Sequence, residues 1–244
     1  MDKICLVFDI DETLLHYGPD DSLTHPLPSH PLPSHPLPSH HFEYEEDLFE
    51  KDKMVLRPGL KKFIDYVKSN EERIILGIWT YGTKEYADKV VERIEQRYNE
   101  GEKLFYFVYS RETMEPGMLD KELDFIIKNH SDLGITKANT FLIDNRPANV
   151  IHHKNRNNGI IVESFEGDPR KKNAKMFEKL RTICKSLLDY GKIPKKYITQ
   201  FLVNGEKTPI ASIGTTFDDG LTPVPKNKTR NKKVKNPRKT KSNP

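Results

Sequence analysis

The most constraining feature of this chain is a series of short, unbroken apolar runs separated by amphipathic stretches. Ile4-Cys5-Leu6-Val7-Phe8 shows no polar alternation, as expected of a strand at about residues 3–8 that is buried on both faces. Similar runs at 73–79, 104–109, 140–143 and 159–162 read as further buried strands. Residues 42–46 and 53–57 suggest a short β-hairpin. Pro58 suits a first helical turn, and Leu60, Phe63, Ile64 and Val67 after it share one helical face. A second helix is expected at 83–98, with Tyr86, Ala87, Val90, Val91 and Ile94 inward, and a third at 120–129. The last helix, about 170–190, is expected to start at Asp168-Pro169 and to stop at Gly191. Strands alternating with helices predict an α/β fold, a mostly parallel sheet covered by helices on both faces. Such sheets bind ligands at the carboxyl ends of their strands.

Composition divides the chain. Of its 244 residues, the last 19 carry nine Lys or Arg and no acid, so a net charge of +4 overall becomes −5 over residues 1–225. The expected organisation is a domain over 1–190, an extended linker over 191–225 and a basic, disordered tail over 226–244. The tail invites nuclear targeting or weak nucleic-acid attraction, and equally a solubilising end. Within the domain, His-Pro-Leu-Pro-Ser recurs three times in the segment 25–41, where alternating prolines exclude both helix and paired strand. That segment reads as a tandem expansion in a tolerant surface loop. No apolar run approaches the roughly 20 residues of a membrane span, and the start lacks the pattern of a signal peptide. The two cysteines, Cys5 and Cys184, give neither a disulfide framework nor a zinc spacing. An intracellular protein, nuclear or cytoplasmic and without membrane contact, is expected, with its oligomeric state open.

The strand ends carry the chemistry. The first strand runs into Asp9-Ile10-Asp11-Glu12-Thr13, where two carboxylates two residues apart can enter one crevice. Their repulsion calls for a cation or a shared proton, and oxygen ligands of this kind suit Mg2+. Strand 73–79 ends at Thr80, a hydroxyl able to hold a phosphate oxygen. Strand 140–143 ends in Asp144-Asn145, two further oxygen donors, and Lys121 is expected to open the helix at 120–129 and neutralise a phosphate. Each of these alone is a common turn, strand or surface residue; all four in this order, each on its expected element, are hard to reproduce by chance.

Asp9-x-Asp11-Glu12-Thr13-Leu14, Thr80, Lys121 and Asp144-Asn145 resemble the four motifs of the haloacid-dehalogenase superfamily of phosphatases. Asp9 to His16, with Leu56-Arg57-Pro58-Gly59, Trp79-Thr80, Ser110-Arg111-Glu112 and Asp144-Asn145-Arg146-Pro147, is similar to the phosphatases of the RNA polymerase II C-terminal domain, the small CTD phosphatase and NLI-interacting-factor-like family. The resemblance covers about residues 3–190 and departs at Tyr81-Gly82, where relatives usually have Ala-Ser, and at Arg146, where Ser is commoner. It implies a Rossmann-like, haloacid-dehalogenase-like fold with a minimal cap. It also implies a Mg2+-dependent hydrolysis of phosphoserine or phosphothreonine on a protein, the polymerase C-terminal domain being one candidate. Asp9 would be the nucleophile that forms an aspartyl-phosphate, and Asp11 the general acid and base. An acid in that role turns its side chain from the metal and offers its backbone carbonyl instead. Mg2+ would then lie among Asp9, the Asp11 carbonyl and Asn145, with Asp144 as ligand or just behind. Thr80 and Lys121 would neutralise the transferring group. Arg111, Tyr81, Phe42 and Tyr44 are candidate substrate contacts, each with a structural role as its rival. A nucleic-acid 3′-phosphatase and a non-catalytic peptide-binding module are the alternatives on the same fold.

Overall fold

A computed structural model of the chain describes residues 2–19, 46–49, 52–114, 120–152, 155, 157–168, 175–214, 217, 221, 223 and 224. The repeat at 25–41, Phe42, Tyr44 and the basic tail lie outside the described residues.

Seven strands form one sheet: β1 (Ile4–Phe8), β5 (Ile74–Trp79), β6 (Phe105–Tyr109), β7 (Thr140–Asp144), β8 (Gly159–Val162), β9 (Ile198–Val203) and β10 (Glu206–Ile213). Their order is β6-β5-β1-β7-β8-β10-β9, parallel throughout except for the β10–β9 pair. β1 lies between β5 and β7, and all five of its residues are buried. Ile4, Leu6 and Phe8 face the larger core with helices α1 (Leu60–Lys68), α2 (Lys84–Tyr98) and α5 (Met176–Tyr190). Cys5 and Val7 face the opposite core, with Trp79, Phe107 and α3 (Leu123–Asn129). A strand covered on both faces cannot place polar residues along its length, so its polar residues gather at its end. The chain builds β5 and β6 on one side of β1 and then returns to add β7 on the other, so a topological switch point falls between β1 and β7.

Four expectations need correction. Pro58 precedes α1 rather than entering it: the helix begins at Leu60 after Gly59, whose φ of +88° is left-handed backbone that glycine adopts without strain. The hairpin near 42–57 is β3 (Glu46–Phe49) with β4 (Asp52–Leu56), and an unforeseen strand, β2 (Leu15–Pro19), makes it a three-stranded sheet ordered β2-β4-β3. The third helix begins at Leu123, so Lys121 stands in the loop before it. Finally, the segment expected to be an extended linker over 191–225 contributes β9 and β10. Asn204 (φ 51°) and Gly205 (φ 83°) turn this hairpin, and Phe201, Val203 and Ile210 pack with Val150 and Ile161 into a third apolar cluster. Gly191 ends α5 in the left-handed conformation as expected. No helix among the described residues is long and apolar enough to cross a membrane.

Candidate active site

Beyond β1 the chain turns sharply. The Asp9 amide still joins the sheet by donating to the Ile143 carbonyl at 3.0 Å, and the Ile10 carbonyl then accepts from Thr13 (3.2 Å) and Leu14 (2.8 Å). Glu12 takes a φ of 57°, and its carbonyl accepts from the Phe165 amide at 2.8 Å. A buried arginine clamps this loop: Arg57 Nη1 donates to the Thr13 carbonyl at 2.9 Å, and Nη2 donates to the Glu163 carbonyl. Burial lowers the Arg57 pKa to about 10, which leaves it cationic near neutrality. The turn is therefore held from outside itself, and Asp9 and Asp11 project from a fixed backbone.

At the switch point, Lys121 is fully buried and donates to Asp9 Oδ1 at 2.6 Å and to Asp144 Oδ2 at 2.8 Å. Burial alone would lower the lysine, but Asp144 and Asp9 more than offset it and hold its pKa above the ordinary value. One cation between two acids leaves a negative charge uncompensated, and burial pushes Asp9 up to about 7 despite the lysine, with Asp144 and Asp11 adding to the rise. The lysine is set from below. Asn155 Nδ2 donates to the Lys121 and Asn149 carbonyls, the latter at 2.8 Å, while its Oδ1 accepts the Leu123 amide at 3.0 Å. This one side chain therefore stands in for a helix cap on α3 and fixes the loop that carries Lys121.

Asp144 is held by three donors: Oδ1 accepts from the Arg146 amide (2.8 Å), and Oδ2 accepts from Lys121 and from Asn149 Nδ2 (2.9 Å). That suits Asp144 to holding the lysine rather than touching a metal. Asn145 Nδ2 donates to Ser164 Oγ at 3.0 Å, and its Oδ1 receives Thr13 Oγ1 at a longer 3.3 Å. Among the described residues no three His, Cys, Asp or Glu side chains form a metal-binding group. A cation here would draw on Asp9, a backbone carbonyl and Asn145, with Asp144 beside them, and an all-oxygen donor set of this chemistry suits a hard ion such as Mg2+.

At the end of β5, Thr80 is fully buried; its Oγ1 accepts from the Gly82 amide at 3.0 Å and donates to Asp11 Oδ2 across 3.5 Å. Asp11 Oδ1 accepts from the Tyr86 hydroxyl at 2.6 Å. Burial, with Asp11 as the next cause, drives the Tyr86 phenol far above its ordinary pKa, so it remains an O–H donor. Tyr81 lies over the Lys121 ammonium (5.2 Å to the ring centre) and near the Arg146 guanidinium (5.9 Å). Arg111 has a side chain 64% exposed and 3.9 Å from Glu112, while its backbone amide donates to the Gly82 carbonyl at 3.0 Å.

The fold thus brings Asp9, Lys121 and Asp144 into direct contact and sets Asp11 beside Thr80, with Asn145 following Asp144 at the same sheet edge. The sequence reading missed Asn149 and Asn155. Asn149 follows Asn145 at the i+4 spacing that could have flagged it, whereas Asn155 carries no local signal. Tyr86 was assigned only to the inward face of its helix.

The family described as NLI interacting factor-like phosphatase matches residues 4–193, and the chain belongs to it. No curated protein sequence matches significantly. Among solved structures, the fission yeast RNA polymerase II CTD phosphatase Fcp1 bound to beryllium fluoride is similar, at 19% identity over 80% of this chain and 54% of that one, TM-score 0.43. A second structure of Fcp1, described as an essential RNA polymerase II CTD phosphatase, gives 21% identity over 80% and 53% of the two chains, TM-score 0.44. The chain spans about half the length of the Fcp1 chains it matches.

Proposed function

We propose that this member of the haloacid-dehalogenase type of phosphatases removes phosphate from phosphoserine or phosphothreonine in a protein, using Mg2+ and an aspartyl-phosphate on Asp9. The observation that carries the reading is the buried Lys121 ammonium held at 2.6 Å from Asp9 and 2.8 Å from Asp144. A fully desolvated cation on a carboxylate at the sheet's carboxyl edge is an arrangement for anion chemistry. Lys121 occupies Asp9 Oδ1, which orients Oδ2 as the attacking atom and leaves the cation beside the incoming phosphoryl oxygens. Thr80 accepts from Gly82 and turns its own hydrogen towards Asp11; that bond is long, and a phosphate oxygen can replace it at little cost. Asp11 is placed to give the leaving oxygen a proton and then to take one from water. When bound by Asp9, the Asp11 carbonyl and Asn145, Mg2+ would supply charge neutralisation and alignment of the transferring group.

Among the described residues, the cap is only the small sheet β2-β4-β3, and α2 with β6 occupies the interval from Thr80 to Lys121. A site without a large lid among the described residues would favour an extended macromolecular substrate, with a phosphorylated polymerase C-terminal-domain repeat as one candidate. The test compares a phosphoserine peptide with a 3′-phosphorylated oligonucleotide, with and without EDTA, for wild type and Asp9→Asn. Hydrolysis of the peptide is expected, and both EDTA and Asp9→Asn should abolish it. Preference for the oligonucleotide would move the assignment to nucleic acid, and full activity of Asp9→Asn would overturn the mechanism.

A further inference from the structure

We infer that Tyr86 is a positioning residue for Asp11, holding one carboxylate oxygen so that the other faces the phosphate cradle. The inference rests on the phosphatase reading above. Asp11 lies past the end of β1 on the exposed side of the cleft, where an unsupported carboxylate would sample several rotamers. Two contacts define it: the 2.6 Å bond from the Tyr86 hydroxyl to Oδ1, and the weak 3.5 Å contact between Thr80 Oγ1 and Oδ2. The first lies in the range of charge-assisted bonds and sets the side chain. Oδ2 is thereby left on the side of Thr80, where a transferring group would sit.

Tyr86 is itself constrained. Its amide donates to Thr83 Oγ1 at 3.2 Å, the cap that begins α2, so its Cα is fixed in the first helical turn. Its ring lies over Gly82, where an added Cβ would fall 2.6 Å from ring Cδ1. The Tyr17 ring meets it edge-on, with centroids 6.0 Å apart. Glycine at position 82, one of the departures from the family's usual pattern, is therefore what allows the phenol to reach Asp11.

In the first half-reaction an Asp9 oxygen bonds to phosphorus while the bond from phosphorus to the substrate oxygen breaks. That electron pair stays on the departing oxygen, which takes the proton from Asp11 Oδ2. In the second, water attacks phosphorus and returns a proton to Asp11 as the bond between Asp9 and phosphorus breaks, releasing phosphate. Tyr86 changes no bond in either step. Its effect on the first half-reaction, the part that kcat/KM reports, must therefore scale with how much the leaving group needs a proton, whereas its effect on the second is the same for every substrate.

The experiment compares wild type and Tyr86→Phe, as full chains with Mg2+, on a phosphoserine peptide and on p-nitrophenyl phosphate. General acid catalysis supplies about 10²–10⁴-fold to a poor leaving group, so kcat/KM on the phosphopeptide should fall about 10-fold or more. On p-nitrophenyl phosphate, whose leaving group hardly needs the proton, kcat/KM should fall by less than about 3-fold. Equal losses of kcat/KM on the two substrates, as a purely structural role would give, overturn the inference, and so does an unchanged kcat/KM on the phosphopeptide. A wild-type protein that hydrolyses neither substrate refutes the phosphatase reading and this inference with it. An active wild type without the split refutes the inference alone.

Discussion

Replacing Lys121 by Met keeps the length and volume of the side chain and removes its charge. Lys121, Asp9 and Asp144 are all buried, with N–O distances of 2.6 and 2.8 Å. Removing one partner of a buried ion pair costs about 3–5 kcal/mol, because the remaining charge keeps its desolvation penalty and loses its compensation. Here two carboxylates lose the same partner, so the upper end of that range applies. For a domain of this size about 2–4 °C of Tm accompanies each kcal/mol, which gives a fall of roughly 10–20 °C. The loss should depend on pH with a definite sign. Asp9, already pushed up to about 7 by burial, rises further without the ammonium, so the folded variant takes up protons that the unfolded chain does not. A carboxyl raised on folding adds stability at low pH and loses it as pH rises through the folded value, so the variant's deficit should shrink between pH 7.5 and pH 5. Thermal melts at both pH values with EDTA present measure it, and the double variant Lys121→Met/Asp9→Asn should recover part of the loss at pH 7.5. A melting temperature within about 2 °C of wild type at pH 7.5, or a deficit larger at pH 5, refutes the reasoning.

Two further perturbations address features absent from the sequence reading. Asn155→Ala removes the buried amide that holds the Lys121 and Asn149 carbonyls and the Leu123 amide, stranding polar groups at about 1–3 kcal/mol each. Urea denaturation should show a loss of about 3 kcal/mol or more, and kcat on an aryl phosphate should fall because the loop bearing Lys121 loosens. Truncation after Lys192 removes β9 and β10 and exposes Val150 and Ile161, which pack on Phe201, Val203 and Ile210. Side chains of this size contribute roughly 1.5–3 kcal/mol each when buried, against a domain stability of about 5–15 kcal/mol. The truncated chain should therefore fail to melt cooperatively by circular dichroism, whereas a dispensable linker would leave the transition unchanged.

The amino-acid sequence alone determined the elements whose signal is local. β1, β5 and β8 are short runs of consecutive apolar residues, and the inward face of α1, Leu60, Phe63, Ile64 and Val67, follows the helical period. Because parallel strands present their carboxyl ends along one edge, knowing the strand ends placed Asp9, Thr80 and Asp144 near one another without coordinates. The hairpin β9–β10 was also encoded, in Asn204-Gly205 between alternating apolar residues, but Pro209 and the neighbouring lysines masked it. β2 left a fainter trace, because Gly18 and Pro19 make a poor strand except beside an existing partner such as β4. Other features had no local signal at all. The start of α3 is decided by Asn155, 32 residues beyond Leu123, and the orientation of Asp11 by Tyr86, 75 residues away. Sequence periodicity reports which way a side chain faces relative to its own backbone. Which oxygen meets which hydrogen across a cleft is decided only when separate elements pack, so the tertiary structure settled how Lys121 and Asp11 are held.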